Sequence, residues 1–90
     1  MINPEELDKF ISKVQSAGFI MDITNIHALR KDNHLWYLIS YDKLEGDYII
    51  NAFDETVNDF FGCPIYSTYD LQEAVQRFGT SHLQSVSVDI

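Results

Sequence analysis

The sequence predicts an α+β domain with its helices on one face of a small antiparallel sheet. Three observations carry that expectation. An amphipathic helical stripe opens the chain, three apolar strand-like runs follow with short polar turns between them, and helical spacing returns after residue 54. Short sequential turns favour a three-stranded antiparallel meander, because parallel neighbours need long crossovers. Ninety residues suffice for a single domain, 1–90, burying about 60% of the surface exposed by the unfolded chain. Hydrophobic residues form 46% of the chain and aromatics 13%, enough for one core and too many for a disordered segment.

The first helix is marked at both ends. Asn3 stands as N-cap, Pro4 as first helical residue and Glu6 three positions after the cap, with Ile2 and Leu7 spaced as a hydrophobic staple. Leu7, Phe10, Ile11 and Val14 make one apolar stripe, and Gly18 can close the helix in a left-handed conformation. The first strand is predicted at FIMDI (19–23), losing register near Thr24 and Asn25. KDN (31–33) reads as a turn. HLWYLISY (34–41) is apolar on both faces and so belongs in the middle of the sheet, and DKLEG turns the chain into a third strand, DYIINAF (47–53).

Asp54 can then cap a short helix carrying Val57, Phe60 and Phe61, closed by Gly62 and blocked by Pro64. Ser67 with Asp70 gives another cap pattern, Tyr66 and Leu71 a staple, and Leu71, Ala74, Val75 and Phe78 the apolar stripe of a longer helix ended by Gly79. In the tail LQSVSVDI (83–90), Val86, Val88 and Ile90 alternate, as in a C-terminal edge strand or a segment that pairs with a partner, a second copy included. No internal repeat or linker is evident.

Charge is distributed unevenly. Residues 1–31 hold four acids and four bases, so the formal charge of −8 falls on residues 32–90, where ten acids face only Lys43 and Arg77. Such a field repels phosphate backbones and argues against direct nucleic-acid binding, while favouring a protein partner with a basic surface. One cysteine suits a reducing compartment, and MINPEELDKF is acidic where a secretory leader is basic and then apolar. No apolar run approaches membrane-spanning length. A cytoplasmic protein that does not enter membranes is the expectation.

Chemistry has little scaffold. The glycines at 18, 46, 62 and 79 all fall at element boundaries, outside any dinucleotide or phosphate loop. DKLEGDYIINAF lacks the acid/amide alternation of a calcium loop, and His27, His34, His82 and Cys63 lack zinc spacing, so neither metal nor cofactor is expected. Cys63 follows a predicted helix end, a carbonyl-rich setting that does not activate a thiol. Asp54 with Asp59 could form an acid/base pair, but capping explains Asp54. His27, Arg30, Lys31 and His34 form a basic knot at the tip of a predicted hairpin.

The richest stretch is YDKLEGDYIINAFDETVNDFFGCP (41–64), with six carboxylates and Lys43 its sole base. Tyr41 adjoins Asp42, Tyr48 adjoins Asp47 and Tyr69 adjoins Asp70. Tyrosine supplies rigid contact area and is enriched at interfaces, while carboxylates accept bidentate bonds from arginine. The expected partner-binding set is Tyr41, Asp42, Glu45, Asp47, Tyr48, Asp54, Glu55, Asp59, Tyr69 and Asp70. The leading expectation is therefore a non-enzymatic acidic protein-binding module. Its sharpest form is an inhibitor on a nucleic-acid-binding surface, as an immunity or phage anti-defence protein would be. A second reading is an accessory subunit with an apolar or edge-strand interface; a third is a small enzyme using Cys63 or paired carboxylates.

Overall fold

The computed structural model describes residues 2–79. Helix α1 (Pro4–Ser16) leads through a 3-10 turn (Ile23–Asn25) into strands β1 (Ile26–Asp32), β2 (Leu35–Asp42), β3 (Asp47–Asp54), β4 (Asp59–Phe60) and β5 (Tyr66–Thr68), and then into helix α2 (Leu71–Phe78). All strand pairs are antiparallel, and the order is β1-β2-β3-β4 with β5 also on β3. The α+β class and its meander are as predicted. The proposed strand 83–90 lies outside the described residues.

Local chemistry sets α1. Asn3 Oδ1 accepts from the Glu5 N–H at 2.9 Å, which occupies a donor that the first turn leaves unpaired. At the other end Gly18 adopts φ 93°, and the amides of Gly18 and Phe19 bond back to the carbonyls of Gln15 and Val14, each at 3.0 Å. Between these stops, Phe10 and Val14 bury completely. Burial of each contributes about 1.5–3 kcal/mol.

β2 is the centre. Trp36, Tyr37, Leu38 and Ile39 are all buried, as a strand covered on both sides requires. Alternation sends Trp36 and Leu38, with Phe53 of β3, against Phe10 and Val14 of α1. Tyr37 and Ile39, with Ile50 and Ala52, meet Ala74 and Phe78 of α2. The helices therefore cover opposite faces, which corrects the one-faced arrangement expected from the sequence. Which face a helix takes depends on long-range packing, and its own stripe does not encode that.

Two strand-level expectations also shift. FIMDI is not a strand. Phe19 and Met21 tether the chain to the α1 core, Ile20 is fully exposed, and Asp22 Oδ1 accepts from the N–H and hydroxyl of Thr24 to start the 3-10 turn. The first strand is β1, which takes in Lys31 and Asp32 of the predicted KDN turn. Arg30 and Lys31 are instead edge-strand residues whose cationic groups lie over the rings of Phe78 and Trp36, at 5.3 and 5.2 Å. The turn is then Asn33–His34, with Asn33 at φ 57°.

The predicted short helix after Asp54 is a hairpin. Asp54 Oδ1 does accept from the Thr56 N–H, at 2.9 Å, but Asn58 at φ 55° reverses the chain and Phe60 pairs with Phe53. The same side-chain bond opens a helix or an Asx turn, and here tertiary pairing decides between them. β4 and β5 then run along β3 as one interrupted strand, slipping register by three residues across 62–64. Pro64 has no N–H to give the ladder there. The cap of α2 is Asp70, which accepts from the Gln72 N–H at 2.9 Å; Ser67 belongs to β5 instead.

Candidate functional site

The ten sequence-predicted residues fall at two ends of the sheet. Tyr41 and Asp42 finish β2 and pair directly with Tyr48 and Asp47 at the start of β3. Glu45 lies in the turn between them, and Thr68 opposite Tyr48 brings Tyr69 and Asp70 to the same end. Asp54, Glu55 and Asp59 sit at the other end, seven residues further along β3 from Asp47. At strand rise that is roughly 23 Å. A single acidic face spanning 41–64 is therefore not formed.

Each end is subdivided again by the pleat. Adjacent strand residues point to opposite faces, so Tyr41 and Tyr48 lie on the α2 side while Asp42 and Asp47 lie on the α1 side. The tyrosine rings are 5.1 Å apart, and His27, projected by a bulge in β1, meets Tyr48 at 5.4 Å. Tyr69 is 75% exposed. On the α1 side, Asp42 Oδ1 accepts from the amides of Leu44 and Glu45, which shapes the turn, while Asp47 Oδ1 is buried with no hydrogen-bond partner among the described residues. Lys43 pairs with Asp22 at 3.6 Å, and Leu44 between these charges is 95% exposed.

At the far end Glu55 is neutralised internally. Glu55 Oε1 accepts from Trp36 Nε1 at 2.7 Å, and its carboxylate lies 3.6 Å from both Lys13 and Lys31. The Trp36 bond is the main reason that the Glu55 carboxyl titrates below its ordinary range; the two lysines add to it. Glu55 thus ties the β3–β4 turn to α1 and β1. Asp54 is likewise held low, chiefly by the Thr56 hydroxyl and then its amide, and Asp22 by the equivalent groups of Thr24. The basic knot foreseen at His27, Arg30, Lys31 and His34 is largely spent on internal contacts, Arg30 over Tyr37 and Phe78 and Lys31 on Trp36 and Glu55.

Two further features escaped the sequence reading. Tyr66 packs under Arg77, 4.4 Å from the guanidinium carbon to the ring centre, and burial followed by Glu73 raises its phenol above the ordinary value. Glu73 also accepts a short hydrogen bond from the Thr68 hydroxyl, so α2 is fastened to β5. On the α1 face, beyond the reach of the helix, a pocket of about 330 Å³ is lined by Met21, Leu38, Ile49 and Phe60, with Ser40 and Asn51 as polar groups. Its lining, which also includes Pro64, is spread from Met21 to Pro64, and only the strand alternation at 38, 40, 49 and 51 hinted that these residues share a face. Cys63 is exposed in the 62–64 excursion, and among the described residues no three His, Cys, Asp or Glu side chains are grouped to hold a metal ion. No helix among the described residues is long and apolar enough to cross a membrane.

The chain matches no protein-family model, no curated protein and no solved structure.

Proposed function

We propose that this protein is a non-enzymatic binding module that docks on a basic protein surface through the β2–β3 hairpin end of its sheet. The observation that carries the reading is the pair Asp42 and Asp47, set directly opposite each other beside Glu45 and the exposed Leu44. Like charges across a ladder destabilise the isolated chain, and a partner's cations would relieve them. Lys43, in the same turn, is already paired with Asp22. Tyr69 and the Tyr41–Tyr48 pair flank the hairpin with the amphipathic area that interface centres favour. An inhibitor that blocks the nucleic-acid channel of a nuclease, of the immunity or phage anti-defence kind, is the form such charge fits best. It would act inside the cytoplasm.

Capture from native lysate tests this with the full chain, its Glu45→Lys/Asp47→Lys variant and the far-end control Asp59→Lys. A basic protein held by wild type and by the control, lost at least ten-fold by the double variant and released by salt, is the expected result. Equal retention by all three would sink the reading. A second reading, an accessory subunit or homodimer joined edge to edge, draws on β1, whose outer edge has no strand partner among the described residues. That association would be nearly indifferent to salt.

A further inference from the structure

We propose that LQSVSVDI (83–90) pairs within its own chain as an antiparallel strand on the outer edge of β1, along residues 28–32. The proposal goes beyond the docking reading, and it takes away the edge on which the second reading draws.

β1 offers the edge. It pairs with β2 on one side and has no strand on the other among the described residues, so a row of backbone donors and acceptors faces outward. Ala28 and Leu29 are half-buried there, Ala28 against the α2 core and Leu29 against the α1 core. Proteins guard such edges with bulges, outward lysines or proline. The bulge in β1 is confined to its start, between Ile26 and Ala28, and Arg30 and Lys31 turn their charges over Phe78 and Trp36. From Ala28 to Asp32 the register with β2 is unbroken, and no proline interrupts it.

α2 supplies the occupant and its direction. Phe78 packs in the core with Tyr37, the β2 partner of Arg30, and its ring lies 5.3 Å from the Arg30 guanidinium carbon. The last turn of α2 therefore stands beside the later half of β1. The Gly79 amide closes the helix on the Val75 carbonyl at 2.8 Å. From there residues 79–82 reach up to about 13 Å when extended, enough to step down from the helix layer to the sheet. A strand that starts at the Arg30–Asp32 end runs back toward Ala28, antiparallel to β1. Residues 83–90 carry the pattern for it: Val86, Val88 and Ile90 alternate with Ser85, Ser87 and Asp89, without glycine or proline. One row extends an apolar face of the sheet and the other stays in water. So short a connection also holds the segment at a roughly millimolar effective concentration, which favours its own β1 over that of a second copy.

The test is NMR on the isotope-labelled full chain, with a mixed labelled and unlabelled sample to separate contacts within one chain from contacts between copies. Expected are antiparallel cross-strand contacts between 83–90 and 28–32 within one chain, and slowed hydrogen exchange of the β1 amides that do not bond to β2. Val86→Pro and Ser87→Pro are made separately, because neighbouring N–H groups point opposite ways and one of the two faces β1. At least one variant should speed exchange of those β1 amides ten-fold or more while β3 amides keep their wild-type rates. No contact between the segments, a parallel order, contacts only between copies, or unchanged β1 exchange in both folded variants would overturn the proposal. If a variant does not fold, the wild-type contacts decide. None of these results depends on capture of a partner, so the docking reading stands or falls separately.

Discussion

The two hairpins flanking β3 are built to one plan and put to different uses. YDKLEGDY (41–48) and FDETVNDF (53–60) share an aromatic pair, a closing Asp–Asp pair and a four-residue turn. In both, the first aspartate accepts from the amide two residues on, and the fourth turn residue has positive φ, 75° at Gly46 and 55° at Asn58. The aromatic centroids are 5.1 and 5.0 Å apart. The difference lies in what surrounds each pair. Phe53 and Phe60 join Phe10 and Phe19 in the α1 core, and Glu55 in their turn is held by Trp36, Lys13 and Lys31. Tyr41 and Tyr48 face the α2 side only partly covered, and their turn leaves Leu44 and Glu45 in solvent. The far turn is thus anchored through Glu55, although its Val57 and Asp59 are exposed as Leu44 and Glu45 are.

Substitutions that separate stability from contact sharpen the comparison, and the largest effect belongs to the far end. Phe53→Ala should remove about 3–5 kcal/mol in urea unfolding, since a fully buried ring packed on three others leaves a cavity. A loss under 1 kcal/mol would mean that the two ends are not divided in this way.

Next comes Glu55→Gln, expected to cost about 1–2 kcal/mol at neutral pH by weakening a charge-assisted bond to a buried indole at a partly exposed site. The pH dependence has a defined sign. Glu55 is held low in the folded chain, so its contribution is complete above the ordinary glutamate range and is lost as pH falls through the lower folded value. The acid limb of the stability profile should therefore be shallower in Glu55→Gln than in wild type. Asp22 and Asp54, lowered by their threonine bonds, supply the part of the limb that persists.

The smallest effects test whether the turns match. Gly46→Ala should cost about 1 kcal/mol, because alanine resists positive φ, whereas Asn58→Gly should be neutral to within about 0.5 kcal/mol. Similar values for the two would show that the turns do not share a conformation.

Much of this frame was legible from local pattern. Asn3, Pro4 and Gly18 mark the ends of α1, the doubly apolar WYLI run marks the central strand, and the stripe Leu71, Ala74 and Phe78 marks α2. The kinship of the two hairpins was also present in the letters. Local pattern does not single it out, because Asp54 followed two residues later by Thr56 satisfies a helix cap and an Asx turn equally well. The candidate site was less legible. Six acids close together in sequence suggested one face, but β3 carries Asp47 and Asp54 to opposite ends and the pleat turns each Tyr from its neighbouring Asp.

The sequence by itself determined where chain segments cap, turn and alternate, because those properties depend on bonds and spacings within a few residues. Only the tertiary structure decided that α1 and α2 take opposite faces, that 54–59 is a turn between paired strands, and that Glu55 is bound by Trp36 while Asp42 and Asp47 face each other with Lys43 drawn to Asp22. These outcomes rest on contacts between residues far apart in the chain, where burial and charge pairing choose among alternatives that are locally equivalent.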